Sequence, residues 1–237
     1  MSARIELLPK PEVEYPETDG EPIAENTLQY RWIVTIHGGI GAVFATDPNV
    51  FVAADLFWYP VEGDNKIRLA PDTMVVFGRP KGDRGSYLQW REDGIAPQVV
   101  FEVLSPGNRA GEMQRKFEFY EKFGVEEYYI YDPDRVVMTG WLRAGDTFRP
   151  IPDLDGWVSP RLGIRFDLSG EELAIFMPDG RPFPTFMELF TQRDELAQQR
   201  DELAQQRDEL AQQRDEALRR AERLAERLRA LGIDPEG

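Results

Sequence analysis

Two acids and one amine carry the chemical interest of this sequence. The stretch VVFEVLSPGNRAGEMQRKFEFY, Val99 to Tyr120, sets a single carboxylate, Glu102, inside an apolar run of strand type. Alternation in VVFEV puts Glu102 on the same face as Val100 and Leu104. An unpaired carboxylate buried there costs several kcal/mol, so it needs a cation, a hydrogen-bond network or an open cleft. Asp72, in PDTMVVF, poses the same problem at the start of another apolar strand. Two strands each offering one acid form a site for a hard divalent ion such as Mg²⁺, with water and a substrate phosphate completing its shell. Glu112, Lys116 and Tyr120 follow at intervals of four, on one face of a helical segment. The Ser-Pro-Gly-Asn turn brings that helix back across the end of the Glu102 strand. There Lys116 can offset the repulsion between the acids and orient or polarise a bound water. A plainer account uses the same residues: Lys116 pairs with Glu112 on a solvated face, and Glu102 is a strand-edge residue facing water.

These residues need elements to hold them. Asn26 or Thr27 caps a predicted helix through LQYRWIVTIHGGIGAVFA, where Leu28, Trp32, Ile36, Ile40 and Val43 recur at helical spacing. Gly38, Gly39 and Gly41 weaken its last turns, each by up to about 1 kcal/mol relative to alanine. Asn49 to Val61 has strand composition, and Pro71 to Phe77 is a second strand. The loop GRPKGDRGSYLQWREDG leads to the third, PQVVFEVL. A helix from about Ala110 to Phe123 ends at Gly124, and EEYYIYDP is a fourth core strand. The order is α-β-β-β-α-β. Beyond it, VVMTGWLRAG and DTFRPI flank a Gly-Asp hairpin signal, and weaker strand signals continue to Gly180, extending the sheet or packing against it.

Composition narrows the chemistry. Of 237 residues, 41% are hydrophobic and 11% aromatic, enough for one sizeable core plus an appendage. There is no cysteine, which excludes disulfides and thiolate metal sites, and the single histidine, His37, argues against zinc. No apolar run reaches membrane-spanning length, and the charged N-terminal stretch does not resemble a secretory signal, so a cytoplasmic protein is expected. The net charge of −15 opposes a generic nucleic-acid coat but suits carboxylates gathered around divalent ions.

Residues 1–24 read as an extended arm, 25–184 as the main domain, and 185–237 as a heptad-repeat helix with a short tail. In that last region QRDELAQ occurs three times in succession. Leucine falls at 196, 203, 210, 224 and 231, with Ala217 in the gap; Arg200, Arg207, Arg214, Ala221 and Leu228 then take the other core position. Arginine there weakens the seam. The stripe over 192–231 suits a homodimer or a partner helix, and a solvated single helix is the alternative.

Asp72, Glu102, Arg109, Glu112, Lys116 and Tyr120, followed by GVEEYYIYDP, resemble the Uma-two family of restriction endonucleases. The likeness runs from about residue 26 to PDGRPF near 183. It implies the PD-(D/E)XK restriction-endonuclease-like fold, an α/β core with the α-β-β-β-α-β order, here with added C-terminal strands and a long coiled-coil-like helix. It further implies Asp72 and Glu102 as metal ligands for Mg²⁺ or Mn²⁺, Lys116 as the catalytic lysine, and supporting roles for Glu112 and Tyr120. Where this fold usually carries its lysine, two residues after the acid, the chain has Leu104; Lys116 then reaches the same point from the helix. Many members have Pro-Asp where this chain has Pro97-Gln98, and a histidine near the first helix where it has Asn26.

The expected activity is metal-dependent hydrolysis of nucleic-acid phosphodiester bonds, DNA before RNA. The alternatives are a catalytically silent domain of the same fold that binds partners through its tail, and a phosphoesterase acting on other substrates. Asp55 is a further acid that could approach the ion. Arg79, Lys81 and Arg84 are expected to touch a nucleic-acid backbone, whereas His37, Tyr128, Tyr129 and Tyr131 are expected to pack.

Overall fold

Asn26 starts the first helix by accepting a hydrogen bond from the Gln29 N–H at 2.8 Å, which satisfies one of the free donors of a helix N-terminus. Helix α1 spans Thr27–Val43 in this computed structural model, which describes residues 13–18, 20, 23–107 and 110–230. The chain divides into two compact units, Met1–Pro184 and Thr185–Gly237.

In the first unit the strands are β1 (Val50–Ala53), β2 (Trp58–Tyr59), β3 (Thr73–Phe77), β4 (Tyr87–Leu88) and β5 (Val99–Val103). Helix α2 (Ala110–Lys122) leads to β6 (Glu127–Asp132), β7 (Val137–Ala144), β8 (Thr147–Pro150), β9 (Arg165–Asp167) and β10 (Ala174–Phe176). The main sheet has six strands in the order β1-β3-β5-β6-β7-β8. Only β5 and β6 run parallel within it, because α2 is the crossover between them; its other neighbours are antiparallel. This is the mixed α/β core expected from the sequence, and β7 and β8 extend it.

Alternation assigns the two faces. Val99, Phe101, Val103, Tyr129 and Tyr131 join a core with Trp32, Ile33, Ile36 and Ile40 of α1. The β9–β10 hairpin packs into the same core through Phe166 and Ile175. On the opposite face Met74, Val76, Val100 and Tyr128 pack with Tyr120, Phe117 and Phe119 of α2. Tyr128, Tyr129 and Tyr131 are all buried.

The strand expected from Asn49 to Val61 is two strands. After Ala53 the chain turns at Asp55, whose φ of 50° is left-handed. It then leaves the main sheet, and β2 pairs in parallel with β4. Burial drives the departure: Trp58 is fully buried, stacks on Tyr120 with centroids 6.4 Å apart, and donates its indole N–H to Gln89 at 2.9 Å. The described part of the N-terminal arm is tied to the neighbouring loop. Tyr59 donates to the Pro16 carbonyl at 2.6 Å, and the Asn65 amide to that of Glu14 at 2.7 Å. Residues 1–12, 19, 21 and 22 of the expected arm lie outside the described residues.

Among its described residues the second unit is a single helix, α3, Phe186–Ala230. Leu196, Leu203 and Leu210 are each 65% exposed along it. Leu231 lies outside the described residues. No helix among the described residues is long and apolar enough to cross a membrane.

Candidate active site

Register and crossover together assemble the site. Thr73 of β3 pairs with Phe101 of β5, so one step further Asp72 stands opposite Glu102 on the α2 side of the sheet. The Asp72 carboxylate accepts the Val103 N–H at 2.7 Å, which continues the ladder through a side chain. Helix α2 then returns over the same face. Its Lys116 ammonium donates to Glu102 Oε2 at 2.7 Å, and one turn later the Tyr120 hydroxyl donates to Oε1 at 2.5 Å. Both oxygens of the strand acid are held from one helix face. Lys116 thus pairs with Glu102 rather than being confined to Glu112, whose charge acts on it in addition. Arg109 lies outside the described residues.

Burial and charge set the protonation states. Glu102 is 2% exposed and Lys116 14%, while Asp72 is partly buried. Burial pushes the Asp72 carboxyl well above its usual range, and the Glu102 charge raises it further against Lys116 and the Val103 N–H. Burial alone would lower the Lys116 ammonium; the Glu102 and Asp72 charges outweigh it and hold the group above its ordinary value. Lys116 is therefore a cation at neutral pH, a hydrogen-bond donor and not a base. Burial and then Glu102 keep the Tyr120 phenol protonated, with its pKa well raised.

Asp55 lies next in the row. Extending the Ala53–Met74 register by two places sets it near Asp72, and its N–H donates to the Pro71 carbonyl at 3.0 Å. Its charge adds to those raising Asp72. No group of three His, Asp or Glu side chains close enough to hold a metal ion exists among the described residues. Two carboxylates are what the site offers.

The basic loop has internal partners. Arg79 pairs with Glu92 at 2.8 Å and with Asp93, and Arg84 pairs with Glu92 at 2.7 Å. Lys81 donates to the Phe44 and Ala45 carbonyls at 2.6 and 2.8 Å, closing the C-terminal end of α1. These cations hold the loop, in contrast to the expectation that they meet a phosphate backbone. His37 is half-buried against the Val52 backbone, and burial lowers its pKa.

Several supports had no role assigned to them from the sequence. Gln98 fills the place of the missing aspartate and accepts the Phe77 N–H at 2.8 Å, fastening β3 beside β5. From α1, Gln29 donates to the Val103 carbonyl at 2.9 Å, so both backbone groups of Val103 are held by side chains. A second buried acid, Glu127, accepts from Tyr129, Ser159 and the Arg161 N–H, anchoring the WVSPRLG loop on the far face. The polar residues in VSPR and the glutamate opening YYIYD were the available signals, but nothing local pairs them across 32 residues. The Tyr128 hydroxyl, buried near Glu102 and Asp72, has no hydrogen-bond partner among the described residues.

Residues 4–175 match the model of the Uma2 family, described as “Putative restriction endonuclease”. A crystal structure from Anabaena variabilis ATCC 29413, described as “a putative nuclease belonging to DUF820”, is similar at 17% identity and a TM-score of 0.44. The match covers 60% of this chain and 79% of that one. Among curated proteins none matches in sequence.

Proposed function

The chain belongs to the Uma2 family, and on that footing we propose that it is an endonuclease that hydrolyses nucleic-acid phosphodiester bonds with a divalent cation, Mg²⁺ or Mn²⁺. The observation that carries the proposal is the capture of one buried strand acid, Glu102, by Lys116 and Tyr120, with Asp72 directly across the ladder. A structural ion pair needs only one acid. Here two stand together against one ammonium, and the Glu102 charge adds to burial in raising the Asp72 pKa.

The residues fit a hard cation. Asp72 and Glu102 present only oxygen donors, as Mg²⁺ prefers. A bound cation would relieve their repulsion, polarise the phosphoryl oxygen and lower the pKa of a bound water. The chain's own residues do the rest. Tyr120 and Lys116 fix the Glu102 carboxylate from the side facing α2, leaving it no freedom to rotate from its partner acid. With one N–H on Glu102, Lys116 has two further donors for the attacking water or for the charge that develops on the phosphate. Asp72 is positioned by Val103 N–H, itself part of the strand that carries Glu102.

Incubation of the full chain with supercoiled and single-stranded DNA, with Mg²⁺, Mn²⁺ or chelator, tests the proposal. Metal-dependent nicking that falls at least about 10²-fold in both Glu102→Gln and Lys116→Ala supports it. Cleavage insensitive to both substitutions removes these residues from the chemistry. The second reading is a silent nuclease-fold domain that acts by binding. It is favoured by the net charge of −15 and by the internal engagement of Arg79, Lys81 and Arg84. It is supported if no nicking occurs and Mg²⁺ leaves the protein's thermal midpoint unchanged. The tail, residues 192–231, is proposed as the self-association element in either case.

A further inference from the structure

Helix α3 carries a lengthwise division of charge. Gln192–Gln213 contains three arginines and six acids, net −3, whereas Arg214–Ala230 contains six arginines and four acids, net +2. Along one side Leu196, Leu203 and Leu210 recur every seven residues at 65% exposure, and Leu224 follows at 60%. An isolated helix with such a stripe leaves apolar surface in water, and burying it against another helix is favourable.

The other seam position decides which partner fits. Arg200, Arg207 and Arg214 occupy it in successive heptads, each also paired with the aspartate that follows it at 2.7 to 2.8 Å. A second copy aligned in parallel and in register would stack each arginine on its twin and set acidic half on acidic half. A second copy aligned the other way alternates arginine with leucine or alanine across the seam. It also lays the net −3 half of each helix along the net +2 half of its partner. Only the reversed alignment is self-complementary in both charge and shape.

We infer that α3 is an antiparallel self-pairing helix: its occupant is the same helix of a second copy, and the pair has two-fold symmetry. The arginine aliphatic stems cover the partner's leucines while their guanidinium groups reach the seam's edge. The inference does not depend on the chemistry proposed for the first unit.

The chain has no cysteine, so a single introduced one labels a unique place. Gln198 and Glu226 lie on the helix side opposite the leucine stripe, 28 residues and about 42 Å apart at ~1.5 Å per residue. Full-length Gln198→Cys labelled with a donor fluorophore is mixed with Glu226→Cys labelled with an acceptor. Expected are strong transfer between the two sites, weak transfer when both copies carry labels at Gln198→Cys, and a dimeric mass by light scattering. Leu203→Glu with Leu210→Glu should abolish the transfer and give a monomer whose first unit unfolds at an unchanged midpoint. Strong same-site transfer with weak cross-site transfer would mean a parallel pair and would overturn the inference. A monomer in the unsubstituted protein, or an assembly larger than two, overturns it equally.

Discussion

Lys116 and Glu102 meet at 2.7 Å, joining the middle of α2 to the penultimate residue of β5. The carboxylate is 2% exposed and the ammonium 14%, so water screens the pair little. Removing only the amine leaves a buried charge. Lys116→Met is expected to lower the unfolding free energy by about 3–5 kcal/mol, and adding Glu102→Gln should recover most of it. Chemical denaturation of both single variants and the double variant closes the cycle. A loss of less than about 1 kcal/mol in Lys116→Met would class the pair with screened surface contacts.

Tyr120→Phe isolates a hydroxyl. The ring's packing against Trp58 and Tyr128 is retained, and the hydrogen bond to Glu102 Oε1 is lost. A loss of about 1.5–3 kcal/mol is expected, because the acceptor is a buried carboxylate. Under the endonuclease proposal, cleavage also falls while the apparent affinity for DNA is kept. Unchanged stability in denaturant would show that this hydroxyl contributes no net support.

Two glycines two residues apart in α1 should respond in opposite directions. A Cβ on Gly41 meets nothing within 4 Å among the described residues, so Gly41→Ala is expected to stabilise by up to about 1 kcal/mol through helix propensity. A Cβ on Gly39 would fall within 2.0 Å of the buried Phe183 ring. Gly39→Ala should therefore destabilise by about 1–3 kcal/mol despite the same propensity gain. Thermal melts of the two variants side by side test the contrast, and a stabilised Gly39→Ala would mean that Phe183 is displaced cheaply.

His37 supplies a pH dependence with a definite sign. Burial lowers its pKa below the ordinary value of 6.5, so the unfolded chain takes up the proton more readily than the folded one. No effect exists well above 6.5; stability is lost as pH falls through 6.5 toward the lowered folded value. As the only histidine, its imidazole NMR signals report one titration. His37→Gln should flatten this part of the stability profile, and a folded-state midpoint at or above 6.5 would contradict it.

Ser159→Ala tests the anchor on the far face. It removes one of the donors to buried Glu127 and the acceptor for the Leu162 N–H. A loss of about 1–3 kcal/mol is expected, with faster amide exchange through residues 159–164 as a local readout. Exchange unchanged across that loop would separate it from the Glu127 network.

Much of this was legible in the chain itself, and the dividing line is the range over which each signal acts. Helix spacing in α1 and α2, the Asn26 cap, the strand composition of β3, β5 and β6, and the Gly145 hairpin are local properties that any short window displays. So was the oddity of Glu102, an acid with apolar neighbours on both sides. The strand predicted from Asn49 to Val61 broke in two because Trp58 found burial beside Tyr120, over sixty residues away, which no window of β propensity contains. The loop arginines read as free cations until Glu92 and Asp93 were folded onto them. What the sequence determined was therefore the identity of the elements and which residues could do chemistry. Tertiary structure alone decided which acid faces which amine, since strand register and the β5–α2–β6 crossover are set by pairing between distant segments, and burial together with the neighbouring charges then set the protonation of Asp72 and Lys116.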